Sequence, residues 1–239
     1  MNVPLKTTTI GDIVANDFRA AEVFERFGID FCCGGGRSID DACRSVAADP
    51  ADVWRALEAL PPAAGDDNDA AHLPLERLVD HIVSIHHHYV RQAMPTIARY
   101  LAKLVEVHGA RHPELTRIES HFARLSSELA QHMLKEEHVL FPYVRELAAG
   151  SGSGCAPSPF GTVENPIRMM RREHREAADE MEAIRSLTGG YVPPADGCTT
   201  YNVCLAELRR FEEDLHRHVH LENNVLFPKA IALESGYAN

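Results

Sequence analysis

An internal repeat constrains this chain more than any other feature of its sequence. The segment HMLKEEHVLFP, which contains His132 and Glu136, recurs 86 residues later as HVHLENNVLFP, which contains His218 and Glu222. In both copies a His is followed four residues later by a Glu, and the segment ends in Leu-Phe-Pro. Because residues four apart lie on the same face of a helix, each copy predicts a helix that carries a His and a Glu side by side.

The two His-Glu pairs lie on the apolar face of their predicted helices. Residues that step by three or four from each pair are apolar in both copies. The matched series are Ile118, Phe122, Leu125, Leu129 and Val139 in the first copy, and Cys204, Leu208, Phe211, Leu215 and Val225 in the second. A face of this composition is typically buried, so both pairs are predicted to lie in the core.

Two further predicted helices repeat in the same way, with one His on each. The series around His174 is Met170, Ala177, Met181 and Ile184, and subtracting 87 gives Val83, Val90, Met94 and Ile97 around His87. This register selects His87 from the run of three His residues, although His86 fits the apolar stripe on local spacing alone. The chain is therefore predicted to contain two copies of one helical hairpin, in which antiparallel helices bring the lone His level with the His-Glu pair.

The fold class predicted from these patterns is all-α. Apolar residues at helical spacing are plentiful and strand-like alternation is scarce. Four long amphipathic stretches, at 75–107, 113–147, 164–187 and 199–234, predict a four-helix bundle over residues 75–239. Loop-forming residues separate them at 148–161 and 188–200.

Residues 1–60 predict a small helical N-terminal domain. Helix starts are indicated at Asp17, Ser38 and Asp49-Pro50, and a helix end at Gly28. The segment PPAAGDDNDAAHLP, at 61–74, is typical of a linker. Since so short a domain buries little surface alone, we expect it to dock on its neighbour or to form a homodimer.

Composition excludes several classes of function. The formal net charge of −11 argues against nucleic acid and against an anionic membrane surface as main partner. The sequence has no apolar run of membrane-spanning length and no signal-peptide pattern at its N-terminus, so we expect a cytoplasmic protein. Its six Cys residues form no CxxC pair, which argues against a structural zinc site and favours free thiols.

The predicted core position of the repeated side chains indicates a metal site. A buried ionised Glu costs several kcal/mol unless it is paired or bound to metal, and two such residues repel each other. Four imidazoles and two carboxylates are too many for one tetrahedral ion but suit two ions that share both carboxylates and a solvent-derived oxygen. Ligands of this type without thiolate favour iron, with manganese and zinc as alternatives. The predicted metal ligands are His87, His132, Glu136, His174, His218 and Glu222.

The competing interpretation treats each residue separately. A single core His is commonly a hydrogen-bonded packing residue, and a single His-x-x-x-Glu is a common surface pair. The metal prediction depends on all six residues falling into one register. The other His residues are assigned to the surface or to the surroundings of the site, and Glu137 is expected to be solvated.

The motifs together resemble those of a known family. DHIVSIHHHYVRQAMP, HMLKEEHVLFP, REHREA, PPADGCTTYN and HVHLENNVLFP are similar to successive motifs of the hemerythrin-like bundle, and more closely to those of the iron–sulfur cluster repair di-iron (RIC) proteins; IDFCCGGGRSIDDAC resembles their small N-terminal domain. The resemblance implies a di-iron centre with an oxo or hydroxo bridge, with the four His residues as terminal ligands and Glu136 and Glu222 as bridges. Oxygen-carrying hemerythrins use five His residues, so four leave a more open coordination sphere.

The resemblance also implies a function. It implies repair of iron–sulfur clusters damaged by nitric oxide or oxidants, through iron donation, with the damaged proteins as partners. The alternatives are a protein that binds or senses oxygen or nitric oxide and an enzyme that reduces nitric oxide. Whether the chain is a turnover enzyme therefore stays open.

The adjacent Cys32 and Cys33 precede a run of glycines that would leave both thiols accessible. The functional interpretation is thiol redox chemistry or a transfer of iron or electrons, with Arg37 favouring a thiolate and Cys43 facing the same pocket. The alternative is a tight turn with incidental thiols. Cys155 is interpreted as incidental, and Cys198 and Cys204 as structural.

Overall fold

The computed structural model describes residues 8–60, 69–150 and 160–237. Within these ranges all regular structure is helical, apart from an isolated bridge between Thr9 and Ser38, so the all-α prediction is confirmed. None of the described helices has both the length and the hydropathy needed to cross a membrane. Residues 61–68 of the predicted linker and most of the predicted loop 148–161 lie outside the described residues.

The described helices are numbered here in chain order. They are α1 Ile10–Asn16, α2 Ala20–Arg26, α3 Ile39–Val46, α4 Pro50–Glu58, α5 Leu75–His81, α6 His88–His108, α7 Glu114–Lys135, α8 Phe141–Ala148, α9 Glu164–Leu187, α10 Thr199–His220 and α11 Phe227–Tyr237. Within the described ranges, three π-helical segments join consecutive helices: π1 Ile82–His87, π2 Glu136–Leu140 and π3 Leu221–Leu226.

The described residues form two compact units. The first unit consists of the described residues within Ile82–Tyr143 and Pro157–His216. The second consists of the described residues within Met1–His81, Val144–Ala156 and Arg217–Asn239. The first is called the bundle unit below and the second the terminal unit.

The bundle unit contains the long helices α6, α7 and α9 and α10 as far as His216, whereas α5, α8, α11 and the end of α10, which the sequence assigned to the same bundle, belong to the terminal unit. Phe211 of α10 lies at its centre, with ring centroids 5.6 Å from Phe122 of α7 and 6.4 Å from Tyr89 of α6. Arg185 of α9 pairs with Glu212 of α10 at 2.7 Å. Burial of apolar side chains such as Phe122 and Phe211 stabilises the bundle unit by roughly 1.5–3 kcal/mol for each side chain.

The π segments differ from the continuous helices that the sequence predicts. The N–H of Phe141 donates to the carbonyl of Glu136, and the N–H of Phe227 donates to the carbonyl of Glu222. Each of these hydrogen bonds spans five residues, as in a π-helix. The next residues, Pro142 and Pro228, lack an N–H, and a proline ring clashes with the carbonyl four residues earlier. The repeated Leu-Phe-Pro therefore favours a wide turn immediately before it.

The terminal unit contains the short helices that the N-terminal sequence predicts. Ser38 Oγ accepts from the N–H of Asp41 at the start of α3, and Asp49 caps α4, which begins at Pro50. Gly28 follows α2 with φ 68°, a left-handed conformation that favours glycine. These three helix boundaries are confirmed.

The predicted helix start at Asp17 is wrong. Asp17 ends α1, and α2 begins only at Ala20, because the Asp17 carboxylate instead accepts from the backbone and guanidinium of Arg19. A capping box that the sequence analysis overlooked opens α1, where Thr9 and Asp12 exchange hydrogen bonds between side chain and backbone.

Within the terminal unit, the N-terminal segment docks on the chain's own C-terminal segment. The amide of Asn224, in π3, donates to the carbonyls of Phe31 and Cys32 at 3.1 Å each. A Cβ on Gly11 would lie 2.8 Å from Asn224 Oδ1, and one on Gly35 would lie closer still. At Gly35 a Cβ would also lie 2.7 Å from the Phe31 carbonyl, so the backbone leaves no room for a side chain there, whereas at Gly11 the Asn224 side chain would have to shift.

Candidate metal centre

Four of the predicted ligands lie in the bundle unit, and all four are buried. His87 ends π1, His132 is in the last turn of α7, Glu136 begins π2, and His174 lies in the middle of α9. Two of the four are therefore in or at a π segment, a feature that is common at functional sites. The Glu136 side chain is 0% exposed, which makes an uncompensated negative charge there costly.

The donor atoms of these four side chains converge. His87 Nε2 and His132 Nε2 each lie 3.4 Å from Glu136 Oε2, and His174 Nε2 lies 3.0 Å from His132 Nε2. Two ligands bound at about 2.1 Å to one ion, with an angle of 90–109° between them, are about 3.0–3.4 Å apart. The spacing thus fits atoms that share an ion.

The outer ring nitrogen of His87 is held by a carboxylate. Glu137 Oε1 lies 2.6 Å from His87 Nδ1 and accepts from Arg91 at the same distance. Burial raises the pKa of Glu137, but the hydrogen bonds from His87 and Arg91 outweigh it and hold the pKa below its ordinary value. The expectation that Glu137 is solvated is wrong: its side chain is only 20% exposed.

His132 is held in the same way by a residue of α9. Glu173 Oε2 lies 2.9 Å from His132 Nδ1, and Glu173 Oε1 accepts from Lys135 Nζ at 2.5 Å. The hydrogen bond from His132 is the main cause that lowers the pKa of Glu173 to about 2. A carboxylate on Nδ1 places the ring proton there, so Nε2 presents a lone pair to the interior, as metal ligation requires.

The other two predicted ligands lie in the terminal unit. His218 is near the end of α10 and Glu222 is in π3, both are buried, and His218 Nε2 lies 2.9 Å from Glu222 Oε1. The fit to a metal is the same as in the bundle unit: a wholly buried carboxylate with an imidazole nitrogen at the separation of two ligands. The buried His and Glu side chains are compatible with an iron centre.

Several of the other His residues are buried rather than exposed. His86 Nδ1 lies 3.0 Å from Asp214, and His108 Nε2 lies 3.2 Å from Cys198 Sγ. His220 packs between the rings of Phe18 and Phe31, and burial lowers its pKa to about 4. His86, His108 and His220 therefore do not lie at the surface, which was one of the two places that the sequence analysis allowed for them.

Cys32 and Cys33 lie in the loop between α2 and α3, held by Asp30. Asp30 Oδ1 accepts from both cysteine N–H groups, at 3.1 and 2.9 Å, and from Cys32 Sγ at 3.3 Å. The Cys33 thiol, burial and Asp30 raise the pKa of Cys32 well above its ordinary value. The Cys32 thiol is therefore kept protonated.

Arg37 does not provide the thiolate stabilisation that the sequence suggested. Its guanidinium donates to the carbonyls of Gly34 and Asp30 and to Ser45 Oγ. Cys43 is buried as a free thiol, and burial raises its pKa. Cys204 is buried, as a structural residue would be, whereas Cys198 is exposed. Cys155 lies outside the described residues.

Known proteins match this sequence along most of its length. The hemerythrin HHE cation binding domain matches residues 78–230, and ScdA_N, a domain of unknown function (DUF542), matches residues 6–61. A probable iron-sulfur cluster repair protein of Haemophilus influenzae is 30% identical, over 89% of this chain and 91% of that protein. The iron-sulfur cluster repair proteins YtfE of Musicola paradisiaca and Escherichia coli (strain SMS-3-5) are each 31% identical, over 95% and 94% of this chain and 97% of each relative.

Proposed function

This chain belongs to the hemerythrin HHE cation-binding family and to the iron–sulfur cluster repair proteins, and from that premise we propose that it restores damaged iron–sulfur clusters by donating iron. Its partners are then proteins whose clusters nitric oxide or oxidants have damaged. The observation that carries the proposal is the convergence of buried His and Glu donor atoms at the spacing of two ligands on one ion.

The proposed ligands are six residues that hold two irons. His87, His132, His174 and His218 would be the terminal ligands, and Glu136 and Glu222 would be the bridges. Support comes from the repeat, which supplies equivalent residues from each hairpin, and from the burial of all six side chains. When bound, the iron pair supplies transferable iron and open positions for small ligands such as nitric oxide or oxygen.

The chain's own residues favour release as well as binding. Imidazole and carboxylate are hard or borderline ligands, which hold ferrous iron less tightly than thiolates hold it in a cluster. Glu137 and Glu173 fix the ring orientation of His87 and His132, so the ligands stay in place when iron leaves. Such a site can be refilled and emptied repeatedly.

Cys32 and Cys33 are proposed to assist through thiol redox chemistry or iron transfer. Both are free thiols, Cys33 is partly exposed, and Asn223 and Asn224 of π3 hold the Cys32 carbonyl. The raised pKa of Cys32 means that its thiol is protonated at rest and must lose that proton as it binds iron or reacts, because the thiolate is the metal ligand and the nucleophile. The two thiols with Asp30 also offer donor atoms within 4.8 Å of one another, as a transient iron site would need.

Metal analysis and a repair assay test this proposal. Purified protein should contain about two irons per chain, and the iron-loaded form should restore activity to a nitric-oxide-damaged iron–sulfur enzyme, whereas the apoprotein should not. Glu222→Leu should lose both the iron and the repair, while Glu106→Gln, at an exposed position of α6, should keep both.

A double variant of the cysteines separates repair from gas binding. Cys32→Ser with Cys33→Ser should keep its iron and its nitric oxide binding but lose repair. If the loaded protein binds nitric oxide and never restores a damaged cluster, the function is ligand binding instead. Multiple turnovers of nitric oxide with a reductant would make it a reductase.

A further inference from the structure

A cavity of about 100 Å³ lies between α7 and α9 and reaches two of the proposed ligands. Its buried wall is formed by the imidazoles of His132 and His174 together with Leu129 and Ala177, and the remaining lining residues are half-buried or exposed. About 10–15 Å³ of such space is enough for one water molecule, so the cavity has room for several. That space suits a divalent cation that has shed part of its hydration shell.

The outer part of this cavity is acidic. It is lined by Glu128, Glu173 and Glu176 and by one cation, Lys135, so three carboxylates against one ammonium leave a net charge of −2. Glu176 also contacts Arg172 at 3.4 Å, but both side chains are more than half exposed, so solvent screens that pair. A negative opening raises the local concentration of cations and has little effect on neutral molecules such as nitric oxide or oxygen.

The carboxylate of Glu173 connects the exposed part of the cavity to the buried part. One of its oxygens accepts from His132, and the other accepts from Lys135 at 2.5 Å. The Lys135 side chain is 43% exposed, so it can swing into solvent at small cost. While it stays on Glu173, its ammonium occupies the oxygen that an incoming cation would use and opposes that cation's charge.

We propose that this opening between α7 and α9 is the route by which ferrous ions enter and leave, with Glu128 and Glu176 attracting the ion at the mouth and Lys135 restraining its passage. The route rests on the iron centre of the proposed function, but it does not require that the iron is used for cluster repair. Neutral ligands are not steered by these charges.

Rates of iron loading and release test the route. Full-length apoprotein is mixed with ferrous iron under anaerobic conditions at low ionic strength, and release from the loaded protein is followed with a ferrous chelator. Glu128→Gln with Glu176→Gln should slow loading at least about threefold without changing the final iron content. The difference should shrink as salt is added, because salt screens exposed charges.

Two further variants make the test sharper. Lys135→Gln should load and release iron faster, since it removes the opposing ammonium. Glu106→Gln with Glu182→Gln removes two exposed carboxylates that do not line the cavity and should match the unaltered protein. The rate of nitric oxide binding to the loaded protein should be the same in all of them.

Each contrary result has a distinct meaning. Equal loading rates in the test and control variants overturn the route. A lower final iron content would make Glu128 and Glu176 ligands, and slower nitric oxide binding would indicate a general blockage; both contradict the proposal. If the unaltered protein binds no iron, the metal centre fails and the route fails with it, whereas iron binding without cluster repair defeats only the proposed function.

Discussion

His87 Nδ1 lies 2.6 Å from Glu137 Oε1, although the two residues are 50 positions apart and belong to different helical segments. Glu173 makes the equivalent contact to His132 from α9. Metal-binding imidazoles are commonly oriented by a carboxylate on the ring nitrogen that does not face the metal. The bundle unit therefore contains four of the proposed ligands and the carboxylates that orient two of them.

Glu137→Gln should weaken iron binding while leaving the fold intact. The amide cannot accept as strongly as the carboxylate from His87 Nδ1, and loss of such a partner typically costs about 10–100-fold in metal affinity. A competition titration of ferrous iron against a chelator measures the change. Glu106→Gln serves as the control, and an unchanged affinity in Glu137→Gln would mean that His87 is not a ligand.

In the Glu136→Leu variant, the stability of the fold should no longer increase when iron is added. In the apoprotein, replacing a buried carboxylate by an apolar side chain of similar size should leave the melting temperature unchanged or raise it. Iron at 100 times its dissociation constant should stabilise the unaltered protein by about 2.7 kcal/mol, and the variant should gain nothing comparable. Calorimetry with and without iron tests this, and equal gains would remove Glu136 from the ligand set.

The sequence was sufficient to predict the long helical stretches of residues 75–234 and the burial of the donor side chains, because both depend on local spacing, but it did not predict the π segments. The bounds of α9, Glu164–Leu187, agree with the predicted 164–187, and all six proposed ligands are buried. The hydrogen bonds of Glu137 and Glu173 could not be predicted in this way. Each of these hydrogen bonds depends on which helical segment packs against the Glu side chain. The spacing of residues along one helix does not determine which residues of a neighbouring helix they contact.

The contact between the Cys32 loop and π3 could not be predicted from the spacing of apolar residues either. Asn223 and Asn224 separate Glu222 from the apolar Val225-Leu226-Phe227. Their role becomes clear only beside the carbonyls of Phe31 and Cys32, to which they donate. The signal that was available is the repeat itself, in which Asn223 and Asn224 replace Glu137 and His138 of the first copy. Positions at which the two copies differ in sequence therefore indicate where each copy contacts a different part of the chain.

Gly35→Ala should destabilise the terminal unit. A Cβ at this position would overlap the Asn224 side chain and the backbone carbonyl of Phe31, and overpacking of this kind costs about 1–3 kcal/mol. Gly36→Ala is a matched control one residue away, because a Cβ there meets nothing within 4 Å. Urea unfolding compares the two variants, and equal stabilities would contradict the docking of the Cys32 loop on π3.

His112 should titrate above the ordinary range of an imidazole. Hydrogen bonds to Asp196 and Glu114 raise its pKa above 6.5. A raised folded-state pKa means that the pair stabilises the fold fully below pH 6.5, and that this contribution is lost as the pH rises through the raised value. An NMR titration should show the raised pKa in the unaltered protein and a lower one in Asp196→Asn; no difference would contradict the assignment.

Pro142→Ala tests whether the π turn positions the iron site. The alanine N–H can bond to the carbonyl four residues earlier, which favours a regular helix in place of π2. In a regular helix each hydrogen bond spans four residues instead of five, so the residues after this turn would be rotated by about 100° relative to Glu136. This rotation would displace Phe141, whose ring stacks on that of His87 with a centroid distance of 5.8 Å. Iron affinity should therefore fall by about tenfold or more, as measured by chelator competition. Pro95→Ala, inside α6 and away from the π segments, is the matched control. If both variants bind iron equally well, the wide turn is not what holds Glu136 in place.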